Sequence, residues 1–303
     1  MGIELKISDF HKCTSTIFSI NLLTPCVLRR TICRVVYMYV SLGAGVEPVS
    51  QHVTFWLLSF VVGVLVGLTS MGGAALVTPF LILFIGLRPV IAIGTDLVYS
   101  AFTKVAGAWM HWRQGTVDMR MVLRLATGSV PGGLAGVFLV HWLRTGGIDP
   151  DPYLRRAIGV VLLLVASLLL FRSFRLDSGF NHIKFLTGHN RRVAILWGAV
   201  VGFAVGLTSV GSGSLIAPFL LLSYPMAPAR VVGTDVFHAA VLVSATALLY
   251  ANVGHVEWKL LPVLLTGSIP GVLLGSYIAP RLPVRSLRLG LSVVLLVTGA
   301  KLV

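Results

Sequence analysis

The sequence predicts an all-α fold: a polytopic integral membrane helical bundle made of two repeats of about five helical elements each, with broken or short half-helices. Three observations predict it. Hydrophobic residues are 56% of the 303 and charged residues only 11%, with a mean hydropathy of +0.92, whereas soluble domains carry about 25% charge. Long apolar runs recur, as at Val53–Leu68, Leu154–Phe171 and Leu287–Val303, each near the ~18 residues that cross a hydrocarbon core as a helix. The third observation is a duplication: GLTSMGGAALVTPF from Gly67 matches GLTSVGSGSLIAPF from Gly206.

The duplication runs without a gap from Gly67 through Gly132. Pro79 meets Pro218, Gly94-Thr95-Asp96 meets Gly233-Thr234-Asp235, and Gly115 meets Gly254. Thr127-Gly128-Ser129-Val130-Pro131-Gly132 meets Thr266-Gly267-Ser268-Ile269-Pro270-Gly271. Chance does not keep Gly, Pro and Asp in register over such a length. β-Barrel strands, which would read as ~10-residue alternating segments, are not the pattern here.

Residues 1–50 form an N-terminal extension of mixed polarity. Its best apolar run, Thr14–Leu28, is broken at Thr24-Pro25, and it lacks a small-residue cleavage site. It reads as an amphipathic extension, or as a start placed too early with Met38 as the true one. The three cysteines, Cys13, Cys26 and Cys33, all lie there without metal-ligand spacing.

The first membrane repeat covers 51–172 and the second 193–303, joined by a basic linker at 173–192. Each opens with a span (53–69, then 193–208). A Gly/Ser-rich break follows, then a short apolar helix (74–86, then 213–223) that is too short for an ordinary crossing. Three longer elements complete each copy, at 90–112, 119–142 and 154–172, then at 228–251, 258–280 and 284–302. If all five elements cross, the count is odd and the second copy enters from the opposite face, as an inverted repeat. If the short ones re-enter, the copies are parallel.

Charge favours inversion. The 24 Lys+Arg outnumber the 10 Asp+Glu, for a net charge of +14. With no aromatic-interleaved basic stripe, this excess reads as cytoplasmic loop charge rather than nucleic-acid affinity. Placing the 173–192 linker in the cytoplasm puts Arg113, Arg120, Arg281, Arg285 and Arg288 there too. Arg144, Arg155, Arg156 and Lys259 fall on the other side, diluted by Asp149, Asp151 and Glu257.

The chemistry is expected at the breaks. Interrupted helices in membrane repeats aim half-helix N–H groups at anions near the bilayer midplane. Thr69, Ser70, Gly72 and Gly73 in the first copy, with Thr208, Ser209, Gly211 and Ser212 in the second, are the candidate substrate-binding residues. Close helix packing is the competing reading of the glycines. Lys104 joins the substrate set as the one cation deep in an apolar stretch; its counterpart is Val243, and snorkelling to an interface is its ordinary alternative.

Asp96 and Asp235, with Thr95 and Thr234 before them, are expected in a coupling or structural role. An ionisable group at membrane depth is costly. Proton coupling and helix capping compete as explanations. Three residues beyond each aspartate stands a hydrogen-bonding ring, Tyr99 or His238, which serves either coupling or packing. His111 reads as a packing residue, and Pro131 and Pro270 as kinks or hinges.

The residues GLTSxG…PF in both halves, GTD in both halves, Lys104 within AFTKVAGA, GTVD at Gly115–Asp118 and GSVPG/GSIPG resemble the TauE/SafE family, the sulfite-exporter-like membrane proteins. The resemblance covers about 53–303. It implies a multi-pass protein of the cell inner (cytoplasmic) membrane and an anion pathway at the matching glycines and polar residues. It also implies sulfite, organosulfonates or related sulfur-containing anions as cargo.

The expected function is therefore a secondary exporter of small anions, with the lipid bilayer and the anion as partners, proton coupling and electrogenic transport both being open. No nucleic acid, metal or cofactor is expected. No Walker GxxxxGK[ST] or HExxH sequence is present, so neither ATP hydrolysis by this chain nor metalloprotease chemistry is expected. The reading from another class is an intramembrane aspartyl protease whose dyad is Asp96 and Asp235, which requires carboxyls close enough to share a proton.

Overall fold

Apolar composition forces helices, because backbone groups in lipid must bond within their own segment. The computed structural model describes residues 56–65, 74–175, 191–224, 226–278 and 284–303. All of them belong to the unit Glu47–Val303. The helices are α1 (Trp56–Leu65), α2 (Ala74–Leu83), α3 (Pro89–Arg113), α4 (Met119–Thr145), α5 (Asp151–Arg175), α6 (Arg191–Thr208), α7 (Ile216–Ser223), α8 (Pro228–Asn252), α9 (Leu260–Ile278) and α10 (Val284–Leu302). No strand occurs among the described residues. Five helices, α3, α4, α5, α6 and α8, are long and apolar enough to cross a membrane. The N-terminal extension and most of the basic linker lie outside the described residues.

Local chemistry sets the helix ends. Pro89 and Pro228 open α3 and α8, each after an extended residue, where a missing N–H costs nothing. Both helices close on a left-handed glycine, Gly115 at φ 67° and Gly254 at φ 78°. Behind them Thr116 N–H returns to the His111 carbonyl (3.2 Å) and His255 N–H to that of Tyr250 (3.1 Å). Asp118 then starts α4 by accepting the Met121 N–H at 3.1 Å.

Glycine seams bring the helices together. α4 and α6 run side by side in the same direction: Gly128 faces the Ile195 carbonyl, Gly132 that of Ala199, and Gly202 and Gly206 those of Ser129 and Gly133. A Cβ on Gly202 would sit 2.1 Å from the Ser129 oxygen, so only glycine permits this approach. The same contacts recur at the matched positions of α1 and α9. Gly267 faces the Trp56 carbonyl, Gly271 that of Phe60, and Gly63 that of Ser268. Pro131 and Pro270 lie within helices that continue through them, beside the seam glycines.

α3 and α8 run antiparallel. Gly94, near the start of α3, abuts the His255 carbonyl beyond the end of α8, while Gly233, near the start of α8, abuts Thr116 beyond the end of α3. α5 and α10 are antiparallel as well, since Gly159 in the first half of α5 meets Gly299 and Val303 at the end of α10. Two faces of the bundle follow. One carries the 114–118 turn and the starts of α6 and α8. The other carries the start of α3, the 253–259 turn and the 146–150 turn, where Arg88 bonds Asp151 (2.6 Å) and Asp149 (3.2 Å).

The short helices are shorter than the sequence suggests. α2 ends at Leu83 rather than 86, and α7 begins at Ile216 rather than 213, because residues 209–215 are spent on the break. α7 folds back along α6, with Trp197 stacked on Phe219 at 5.4 Å between ring centres. It thereby returns the chain to the face where α6 began.

Candidate functional site

The site is built on α3. Asp96 is the eighth residue of that helix and fully buried, so it is no helix cap, and the capping alternative is corrected by its position. Its carboxylate is instead held by side-chain hydroxyls from three directions. Thr78 of α2 donates to Oδ2 at 2.5 Å, Ser209 of the α6–α7 break donates to the same oxygen at 2.7 Å, and Ser100 donates to Oδ1 at 3.2 Å. These bonds tie α2 and the second break to one carboxylate, and hydroxyls on a charge are the stronger class of hydrogen bond.

The second break is a strained turn. Ser209 closes α6 at φ 63°, the one non-glycine residue at positive φ among the described residues. That conformation costs an L-residue about 1–2 kcal/mol, and here it aims the hydroxyl at Asp96. Gly211 follows at φ 111°. Thr208 turns its hydroxyl inward, donating to the Ala204 carbonyl at 2.7 Å and accepting the Val210 N–H at 3.3 Å. Ser212 accepts a hydrogen bond from the Lys104 ammonium. Lys104 is 8% exposed; it does not snorkel.

Lys104 thus reaches the break, and Asp235 and Asp96 both act on it through space. Two turns of α3 separate Asp96 from Lys104, about 12 Å of rise, and no hydrogen bond joins them. Asp235, in α8, is 7% exposed, and its Oδ1 has no hydrogen-bond partner among the described residues. Asp96 and Asp235 do not pair with each other: the oxygens of Asp96 are occupied by hydroxyls, and among the described residues Lys104 is the only charge that acts on Asp235, without a direct ion-pair contact. An aspartyl dyad is not assembled.

The remaining candidates fall into matched pairs. Thr95 accepts the Glu257 N–H at 3.0 Å, and Thr234, its counterpart in the other copy, accepts the Asp118 N–H at 2.9 Å. Both threonines stitch α3 and α8 to the turn beyond the other helix. His238 Nε2 lies 2.7 Å from the Ser129 hydroxyl. Tyr99 faces the matching Ser268 without closing a hydrogen bond, leaving both hydroxyls unpartnered. His111 is engaged with Thr116 at 3.1 Å, near one face and apart from the Lys104 cluster. Thr69, Ser70, Gly72 and Gly73 lie outside the described residues.

Sequence reasoning missed Thr78, Ser100, Ser129, Ser268 and Ser214, whose hydroxyl is buried and unpartnered in the break. Ser129 and Ser268 repeat in register and carried a signal. Thr78 and Ser100 are matched by Ala217 and Ala239, so a search for what the copies share passes over them. No group of residues suited to a metal ion exists among the described residues.

Residues 55–302 match the family profile described as "Sulfite exporter TauE/SafE". The chain belongs to that family. "Probable membrane transporter protein YjnA" of Bacillus subtilis is a TauE/SafE relative 43% identical over 84% of this chain and all of its own length. YdhB of the same organism, named in the same words, is 27% identical over 75% of this chain and 90% of its own. MJ0441 of Methanocaldococcus jannaschii, again a "probable membrane transporter protein", is 24% identical over 80% and 92%. No solved structure matches the chain. With five helices long and apolar enough to cross, this TauE/SafE protein is a multi-pass membrane transporter.

Proposed function

We propose that this transporter exports small oxyanions, sulfite and organosulfonates among them, across the cell inner membrane as a secondary carrier built from two inverted repeats. The observation that carries the anion reading is Lys104: a cation buried in the bundle and hydrogen-bonded to Ser212 in a helix break. At membrane depth a cation is expensive unless it has a task, and a break supplies backbone and hydroxyl donors beside it. The family's description supports the sulfur-containing anions.

Inversion is supported by the antiparallel pairing of α3 with α8 and of α5 with α10, together with contacts that recur at matched positions of the two copies. Orientation follows from charge. Arg113, Arg120, Arg124, Arg191, Arg192 and Arg230 gather on the face of the 114–118 turn. Asp149, Asp151 and Glu257 dilute the cations of the other face. The first face is thus cytoplasmic.

The test is efflux of labelled sulfite from proteoliposomes. Replacing Lys104 by Gln removes a charge-assisted bond to the anion worth about 1.5–3 kcal/mol, which lowers apparent affinity at least about tenfold. Wild-type rates and affinity in Lys104→Gln would remove the basis of this reading.

A further inference from the structure

We infer that the two membrane-embedded carboxylates have separate duties: Asp96 is a fixed structural tie, and Asp235 is the exchangeable counter-ion of Lys104, taking up a proton when Lys104 takes up the anion. The inference rests on the anion-carrier reading and names its coupling group.

The two aspartates occupy matched positions but unmatched surroundings. Asp96 has Thr78, Ser100 and Ser209. Around Asp235 the positions equivalent to Thr78 and Ser100 are Ala217 and Ala239, which have no hydroxyl, while the position equivalent to Ser209 is Ser70, a serine outside the described residues. The consequence is visible: Asp235 Oδ1 is buried without a hydrogen-bond partner among the described residues. A buried carboxylate lacking donors is among the costliest groups a protein interior can hold, unless it is neutralised by a proton or an adjacent cation. The cation is Lys104.

Among the described residues, the elements packed on α8 bring no second charge that acts on Asp235. α3 brings Lys104, with Asp96 and Tyr99 toward its start, and, nearer the cytoplasmic face, Arg113 and His111, which is engaged with Thr116. α4 brings Asp118, whose carboxylate caps its own helix, and Ser129, which is taken by His238. Arg120 and Arg124 stand in the first turns of α4, partly or fully exposed. His141 and Arg144 lie at the far end of α4; α6 and α7 bring no ionisable side chain beyond Arg191 and Arg192 at the α6 start and the cap Tyr224, and α8 itself brings Arg230, His238 and, at its far end, Tyr250. Among the described residues Lys104 is the one charge that acts on buried Asp235, through space and without a direct ion-pair contact.

Charge balance then dictates coupling. Empty, the pair is Asp235 carboxylate with Lys104 ammonium, net zero. A proton from water on Asp235 leaves Lys104 unopposed, and an anion on Lys104 restores zero. Asp96 contributes equally to both states and drops out. Only these neutral states cross cheaply in a low-dielectric bundle, so proton and anion travel together, one for one. Outflow is then driven by the anion's own gradient, and an alkaline cytoplasm retains the anion until its internal level exceeds what the proton gradient balances.

The experiment uses the full-length protein in proteoliposomes, with methanesulfonate, which stays ionised throughout, as the probe. Each unit of pH difference should accumulate the anion about tenfold on the alkaline side, the proton's side of origin being the acid one. Asp235→Asn should abolish accumulation while leaving exchange of anion for anion. Asp235→Glu should restore it. Ala217→Thr with Ala239→Ser, which supplies the missing hydroxyls, should hold the carboxylate ionised and move the pH dependence to more acid values. In parallel, infrared titration of the purified protein should contain a buried carboxyl band that survives Asp96→Asn and disappears in Asp235→Asn. If wild type moves no anion in exchange, the carrier reading falls. If it exchanges anions but Asp235→Asn still accumulates tenfold per pH unit, or the titrating band belongs to Asp96, this inference falls and the carrier reading stands.

Discussion

Replacing Thr78 by Val tests whether Asp96 holds the bundle together. The side chains have nearly the same shape, so the substitution deletes one hydroxyl and leaves no appreciable cavity. That hydroxyl donates to Asp96 Oδ2 at 2.5 Å, and both residues are fully buried. A hydrogen bond to a charged group is worth about 1.5–3 kcal/mol, and deleting one partner leaves the other with less solvation than it needs. Ser209 remains on the same oxygen at 2.7 Å, which sets the expectation toward the lower end, a shift in the unfolding equilibrium of about tenfold. Thr78→Ser is the control, since it keeps the hydroxyl and loses one methyl, about 1 kcal/mol. The assay is reversible unfolding in mixed detergent micelles, with thermal stability by size-exclusion chromatography alongside. If Thr78→Val equals wild type while Thr78→Ser is weakened, packing and not the hydroxyl holds this junction, and Asp96 is not a tie.

Two further expectations come from other parts of the fold. Gly202→Val should separate α4 from α6 and cost at least about 1–3 kcal/mol, because its Cβ would stand 2.1 Å from the Ser129 oxygen; Gly290→Ala, which meets nothing within 4 Å, should leave detergent stability unchanged or slightly raised. His255, in the 253–259 turn, is held below the ordinary histidine range by burial first, then by Arg144 and His141. The folded protein therefore binds fewer protons there than the unfolded chain, so stability is full above the unfolded pKa of about 6.5 and declines as pH falls below it. His255→Gln should flatten that decline, as followed by melting temperature across the acid range.

The helices were legible in the sequence because lipid permits so few alternatives. The long elements lie within a few residues of expectation: 90–112 is α3 at Pro89–Arg113, 228–251 is α8 at Pro228–Asn252, and 284–302 coincides with α10. α3 and α8 each carry a proline at one end and a positive-φ glycine just past the other. The break after Thr208 was legible as glycine and serine, but its length was not. Ser209 at positive φ depends on Asp96 across the bundle, a contact 113 residues distant in sequence. The role of Asp96 was obscure for the same reason. A Gly-Thr-Asp run looks like a cap locally, and only the approach of α2 and the second break turns it into a hub.

What the two copies share and what they do not belong to different physical tasks. The shared residues are glycines that let backbones touch and threonines that bond the opposite turn. Gly94 with Gly233 and Thr95 with Thr234 make the same contacts in both directions, so either end of the α3–α8 pair is built alike. A scaffold of that kind has no preferred face, as alternating access requires. Cargo and coupling need the reverse, a single charge centre that one site can occupy. The departures from the repeat around the buried charges concern that centre. Lys104 faces Ser212 where the copy has Val243 and Gly73, and Thr78 and Ser100 bond Asp96 where Ala217 and Ala239 offer no hydroxyl and Asp235 Oδ1 has no partner among the described residues. On the inference drawn above, the two hydroxyls missing around Asp235 are what would leave it, and not Asp96, free to change its charge.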